Sequence, residues 1–179
     1  MLKRVRTTYQ HLTDPAVTAD RPLSTATRQV VLAGSRGLIE DRLLNLITAA
    51  EAVFITRLGR RSRNGEKAVL LASGAAGRLT GDLTLGTPTS ENIEALIRSV
   101  YRWRNAEVHG GQHRTDPFRR LDGTTTNDLA TVAEDLDRMM RRALLPALEG
   151  ARQTSGHLQR NATTPALPRG SRIRRQGAP

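Results

Sequence analysis

Hydrophobic and polar positions recur with a helical period over much of the chain. In residues 37–58, Leu44, Ile47, Phe54 and Leu58 fall on one face, and Ile39, Leu43, Leu46, Ala50 and Val53 line the adjacent one. An apolar surface that wide predicts the central helix of a bundle. A basic turn at 60–65 separates it from a second helix over 66–79, where Ala68, Val69, Leu71, Ala72 and Ala75 offer small contacts. Gly74 and Gly77 either weaken that helix or permit close approach of a neighbour. The stretch TGDLTLGTPT (80–89) reads as a loop. A third helix starts near Thr89 or Ser90, carries Ile93, Leu96, Ile97, Val100 and Val108, and stops at Gly110 and Gly111. The polar stretch 110–126 is long for a bundle connection, which marks it as either functional or disordered. A fourth helix over 127–145 repeats Leu129, Val132, Leu136, Met139 or Met140, and Ala143, and Pro146 ends or kinks it.

The flanks lack this order. Residues 1–36 read as a mixed lead-in, interrupted by Pro15 and Pro22, with a short apolar patch at Val30, Val31 and Leu32. Beyond Gly150 the chain is rich in Arg, Thr, Gly and Pro without periodicity, which predicts a disordered basic tail over 151–179. No internal repeat is visible. The expected fold is all-α: an up-and-down bundle of about four main helices over 37–150, between the lead-in and the tail.

Composition narrows the class. Of the 179 residues 37% are hydrophobic, enough for a core, and only 3% are aromatic, which argues against a large β-sandwich. No apolar run reaches the roughly 18 residues of a membrane span, so no membrane association is expected. Lys3, Arg4 and Arg6 are followed by no apolar segment, so a secretory signal is not expected either. The absence of cysteine removes disulfides, thiol catalysis and cysteine-ligated zinc, and fits a cytoplasmic location.

The net charge of +11 is unevenly placed. Residues 1–36 hold six basic and two acidic residues, and 151–179 hold six arginines and no acid. Residues 37–150 hold sixteen basic and fifteen acidic residues, so the middle is nearly neutral. Basic flanks attract polyanions through phosphate neutralisation and counterion release. The alternative for the tail, including RGSRIRRQG (169–177), is a solvated segment that keeps the chain soluble. Arginine outnumbers lysine 26 to 2, which reads mainly as codon bias of a GC-rich genome.

The sharpest chemistry lies in RWRNAEVHGG (102–111), at the end of the third helix. Asn105 and His109 are four apart on one helical face, where the amide is placed to orient the imidazole. Histidine moves protons near neutral pH, and Arg104 supplies a permanent charge suited to phosphate oxygens. The Arg-x4-His spacing alone carries nothing in so arginine-rich a chain, because Arg6–His11 and Arg152–His157 share it. Only Arg104–His109 closes a well-formed amphipathic helix. Glu51 interrupts an apolar stripe, so its carboxylate is expected to face the bundle with Arg104 or Arg98 as partner.

RNxxxH at a helix end resembles the ribonuclease motif of the HEPN superfamily, small helical domains of bacterial toxins and antiphage systems. EDRLLNLITAAEAVF (40–54), NGEKAVLLASGAAGRL (64–79) and IEALIRSVYRWRNAEVHGG (93–111) follow the order and spacing of Apea-like HEPN domains. The resemblance covers about residues 38–145. It implies a metal-independent endoribonuclease without a cofactor, acting as a homodimer in which Arg104 and His109 of two protomers meet in one cleft. By the same carry-over, His109 is the general acid or base, Arg104 stabilises charge on the phosphate, and Asn105 positions the histidine. Glu51 takes the place of an acidic residue common in these domains, as catalytic support or as a structural ion pair. A cognate antitoxin or other defence component would be a further partner. One departure is clear: where toxins controlled by a nucleotidyltransferase carry a tyrosine, this chain has Gly111, so control by tyrosine modification there has no support.

Weaker signals surround this motif. His109 and His113 share an H-x3-H spacing, but Gly110 and Gly111 break the helix between them, and no metal site is expected. Arg114, Arg119 and Arg120 either guide RNA toward the cleft or decorate a solvated loop. Trp103 reads as a packing or dimer contact. No P-loop, nucleophile elbow or dinucleotide-binding glycine pattern is present, which removes nucleotide hydrolysis and acyl transfer. The alternatives are a non-catalytic HEPN module that binds RNA or a nucleotide, a dimerisation or sensor module, or an unrelated helical interaction protein with basic ends.

Overall fold

The computed structural model describes residues 15–55, 64–111 and 116–162, the last twelve of them as backbone only. The chain is an all-α helical bundle carrying one small hairpin. Its helices are α1 (Pro15–Ala19), α2 (Arg21–Ser35), α3 (Ile39–Phe54), α4 (Asn64–Leu79), α5 (Ser90–His109) and α6 (Leu129–Ala162). A short 3-10 turn at Leu83–Leu85 lies between α4 and α5. Two antiparallel strands, β1 (Phe118–Arg119) and β2 (Thr125–Thr126), pair Phe118 with Thr126 and Arg119 with Thr125.

The core follows the sequence periods. Helix α3 buries Leu43, Leu46, Ile47, Ala49 and Ala50 completely, α5 buries Ile93, Leu96, Ile97 and Val100, and α6 buries Val132, Leu136, Met139 and Met140. Helix α4 contributes mainly small residues, Ala72, Ala75 and Ala76 beside Leu71. Small residues let it lie close: a Cβ on Gly74 would come within 2.8 Å of the Phe54 carbonyl oxygen, so α4 crosses the end of α3 at contact distance. Gly77 faces open space and has no such role.

Two helices depart from the sequence reading. The supposed lead-in holds α2, whose Leu23, Ala26, Thr27, Val30 and Ala33 are buried at a clean helical spacing and which packs along α3. Pro22 opens this helix rather than interrupting it, since a proline in the first turn has no N–H to lose. Asp20 caps the same turn by accepting from the Leu23 backbone N–H at 3.0 Å. The fourth helix does not stop at Leu145: α6 continues through Pro146 to Ala162, across the first part of the segment read as disordered. Residues 163–179 lie outside the described residues, as do most of the turn at 60–65 and Leu58.

The polar stretch after α5 is partly ordered. Its hairpin is fixed to α6 through Asp135, only 1% exposed, which accepts from Arg120 Nε at 3.0 Å, Arg120 Nη2 at 3.2 Å and Arg138 Nη2 at 2.5 Å. It is fixed to α5 by Asn92, whose side-chain amide donates to the Leu121 carbonyl at 3.4 Å. A further tie joins the α4–α5 connection to α6, where Arg142 Nε donates to Asp82 at 2.6 Å.

Candidate functional site

Helix α5 carries the motif and decides its geometry. It begins at a Thr89 cap, whose hydroxyl accepts from the Asn92 N–H, and it ends at Gly110, in the left-handed region at φ +66°. Glycine meets that conformation without the penalty a Cβ would bring. The N–H groups of Gly110 and Gly111 both donate to the Ala106 carbonyl, which closes the helix immediately after His109. His109 is exposed on this last turn, and Val108 beside it is 53% exposed.

Arg104 and Asn105 are half-buried one turn earlier. Arg104 Nη1 donates to Asn105 Oδ1 at 3.2 Å, and its guanidinium lies over the Tyr101 ring, 5.7 Å from the centroid. Asn105 therefore holds the arginine, and no hydrogen bond joins it to His109. Five residues of α-helix turn the chain so that Arg104 and His109 project about 140° apart. The two side chains therefore leave the helix in divergent directions.

Glu51, on α3, faces α5 as its place in the apolar stripe requires, and it is half-buried. Among the described residues it forms no ion pair, and Arg98 is taken by Glu94 at 2.9 Å instead. The ring under the Arg104 guanidinium belongs to Tyr101, which sequence reasoning did not single out. Only 1% of Tyr101 is exposed, and its hydroxyl makes no hydrogen bond of full geometry, although the Glu51 carboxylate lies near enough to act on it. Burial pushes the phenol above its ordinary pKa, the Glu51 carboxylate pushes it the same way, and the Arg104 charge pulls it back. The phenol is thus within reach of charges of both signs. The available signal was its register: Tyr101 is three residues before Arg104 and follows Ile97 and Val100 on the buried face.

The loop arginines divide. Arg120 is committed to the buried Asp135 and to Asp122, at 3.4 Å, and so holds structure. Arg119 donates to the Gly123 carbonyl at 2.6 Å within the hairpin. Arg114 and His113 lie outside the described residues. Among the described residues, no group of three or more His, Asp or Glu side chains is placed to hold a metal ion, and no helix is long and apolar enough to cross a membrane.

No protein-family model, curated protein or solved structure matches the chain.

Proposed function

We propose that this chain is a metal-independent endoribonuclease of HEPN type, acting in antiphage defence or as a toxin, and working as a homodimer. The observation that carries the reading is the state of α5 at its C-terminal end. A half-buried arginine is held by Asn105 and Tyr101, and an exposed histidine sits one turn later on a helix stopped by Gly110. The two side chains diverge by about 140°, which favours a phosphodiester met by Arg104 of one protomer and His109 of the other. Exposed Val108, beside His109, supplies apolar surface at that meeting point.

In this reading Arg104 binds the scissile phosphate and stabilises the charge that builds on it. His109 exchanges a proton with the attacking 2′-hydroxyl or with the departing oxygen. Asn105 fixes the Arg104 guanidinium, a role shifted from orienting the histidine, because its Oδ1 accepts from Arg104. The experiment is cleavage of a mixed RNA pool in EDTA by the wild type and by His109→Ala. Cleavage by the wild type alone is expected. Equal cleavage by both places the chemistry elsewhere, and RNA binding without cleavage by either makes the chain a non-catalytic binding module.

A further inference from the structure

Among the described residues, Arg102 stands exposed on α5 with no carboxylate or carbonyl accepting from it. Its own helix explains this. Arg98 reaches back four residues to Glu94, at 2.9 Å, whereas the residues four before and four after Arg102 are Arg98 and Ala106. The guanidiniums of α6 are committed by contrast, Arg138 to Asp135, Arg141 to Asp137 and Arg142 to Asp82. An uncommitted guanidinium keeps its whole fork of N–H donors for a ligand.

The register of α5 supplies the second observation. Seven residues of α-helix return the chain almost to its starting direction, so Arg102 and His109 project within about 20° of each other, with a rise of about 10 Å between them. Both are exposed, and the side chains between them on this face are Asn105 and Ala106, neither of them acidic. Glu107 leaves the helix about 140° away from Arg102, and Arg104 about 160° away, toward the core. A strand that brings a phosphodiester to His109 along α5 therefore passes over Arg102 of the same protomer. We propose that Arg102 is a substrate-binding residue that grips a neighbouring phosphate of that RNA strand. Its origin is two turns from that of His109 and nearly parallel to it, so the two side chains meet different phosphates. A phosphate contact carries no base information, so Arg102 sets affinity and salt dependence rather than sequence choice. The proposal rests on reading His109 as the group that transfers the proton.

A 2′-O-methyl RNA oligomer, which lacks the attacking hydroxyl, tests this by reading binding without cleavage in the full-length protein. Arg102→Gln removes the charge at an exposed position and keeps a good helix former there. Affinity is expected to fall about tenfold at low salt, and the slope of log affinity against log salt to shrink by about 0.7, the share of one phosphate on a single strand. Arg28→Gln removes the same charge from an exposed position on α2 and is expected to change affinity less than about twofold. The imidazole signals of His109, assigned by their loss in His109→Ala, are expected to shift as the oligomer is added, and in Arg102→Gln the same shift should need about tenfold more RNA. The proposal is overturned if the wild type does not bind the oligomer, if Arg102→Gln binds as the wild type does, if Arg28→Gln loses as much, or if the His109 signals never move. Failure of the nuclease reading looks different: RNA cleavage is absent or survives His109→Ala, while the Arg102 salt slope and the coupled His109 shift remain. Arg102 and His109 then stand as one RNA-binding face without the chemistry.

Discussion

Asp135 is tolerated at 1% exposure because two guanidiniums meet it, one from the hairpin and one from its own helix. Arg120→Ala would leave that carboxylate buried with Arg138 alone and would release the hairpin. A loss of about 2–3 kcal/mol in urea unfolding is expected, at the low end for a broken buried pair because Arg120 is itself partly exposed. The exposed Arg98–Glu94 pair is the contrast: Arg98→Ala should cost under about 0.5 kcal/mol. An equal loss in both would mean that Asp135 does not anchor the hairpin. At Gly74 the limit is steric, since an added methyl must push against the Phe54 carbonyl at 2.8 Å. Gly74→Ala is expected to destabilise by about 1–3 kcal/mol, whereas Gly77→Ala, facing open space, should be neutral or mildly stabilising.

At the scale of elements, legibility in the sequence tracked the size of the buried side chains. Helices α3, α5 and the first half of α6 bury Leu, Ile, Val and Met at regular spacing, and their periods are plain in the sequence. Helix α2 buries Leu23, Ala26, Thr27, Val30 and Ala33, a weaker apolar signal, and its two nearby prolines read as breaks although both stand at helix starts. Pro146 misleads in the opposite sense, because α6 tolerates the loss of one N–H and continues. The hairpin had a local signal, the Asp122-Gly123 turn with Gly123 at φ +84°, that the reading passed over, whereas the Arg120–Asp135 anchor could not be read locally, since its partners are 15 residues apart. Within the candidate site, the helix-end position of Arg104, Asn105 and His109 was legible, as was the inward direction of Glu51. The contact of Arg104 with the Tyr101 ring was not, because a tyrosine on an apolar face reads as core. A chain lacking residues 15–35 loses the helix that lies along α3, so it is expected to show no cooperative thermal transition. A sharp transition in that truncated chain would show that α2 is dispensable.

The whole molecule is held partly by carboxylates that are more acidic than usual. Asp82 is lowered from 3.8 to about 2 by its bonds to Thr84 and Arg142, and Asp122 and Asp128 are lowered by their own threonine hydroxyls and backbone N–H groups. Because these groups bind protons less readily folded than unfolded, their contribution is complete above about pH 4 and is lost as pH falls toward 2. The melting temperature is therefore expected to drop across that window, and less steeply in Asp82→Asn, which has no proton to take up. Identical slopes in the two proteins would remove Asp82 from the acid limit. The proposed function sits at the same scale, because it has the divergent side chains of one helix make a site in a symmetric pair. The decisive measurement mixes Arg104→Ala with His109→Ala, each inactive alone, and follows RNA cleavage after subunit exchange. A composite site predicts recovery of about a quarter of wild-type activity, since half of the dimers are mixed and each has one of its two sites intact. A mixture that stays inactive, despite demonstrated exchange and an active wild type, would contradict the shared site.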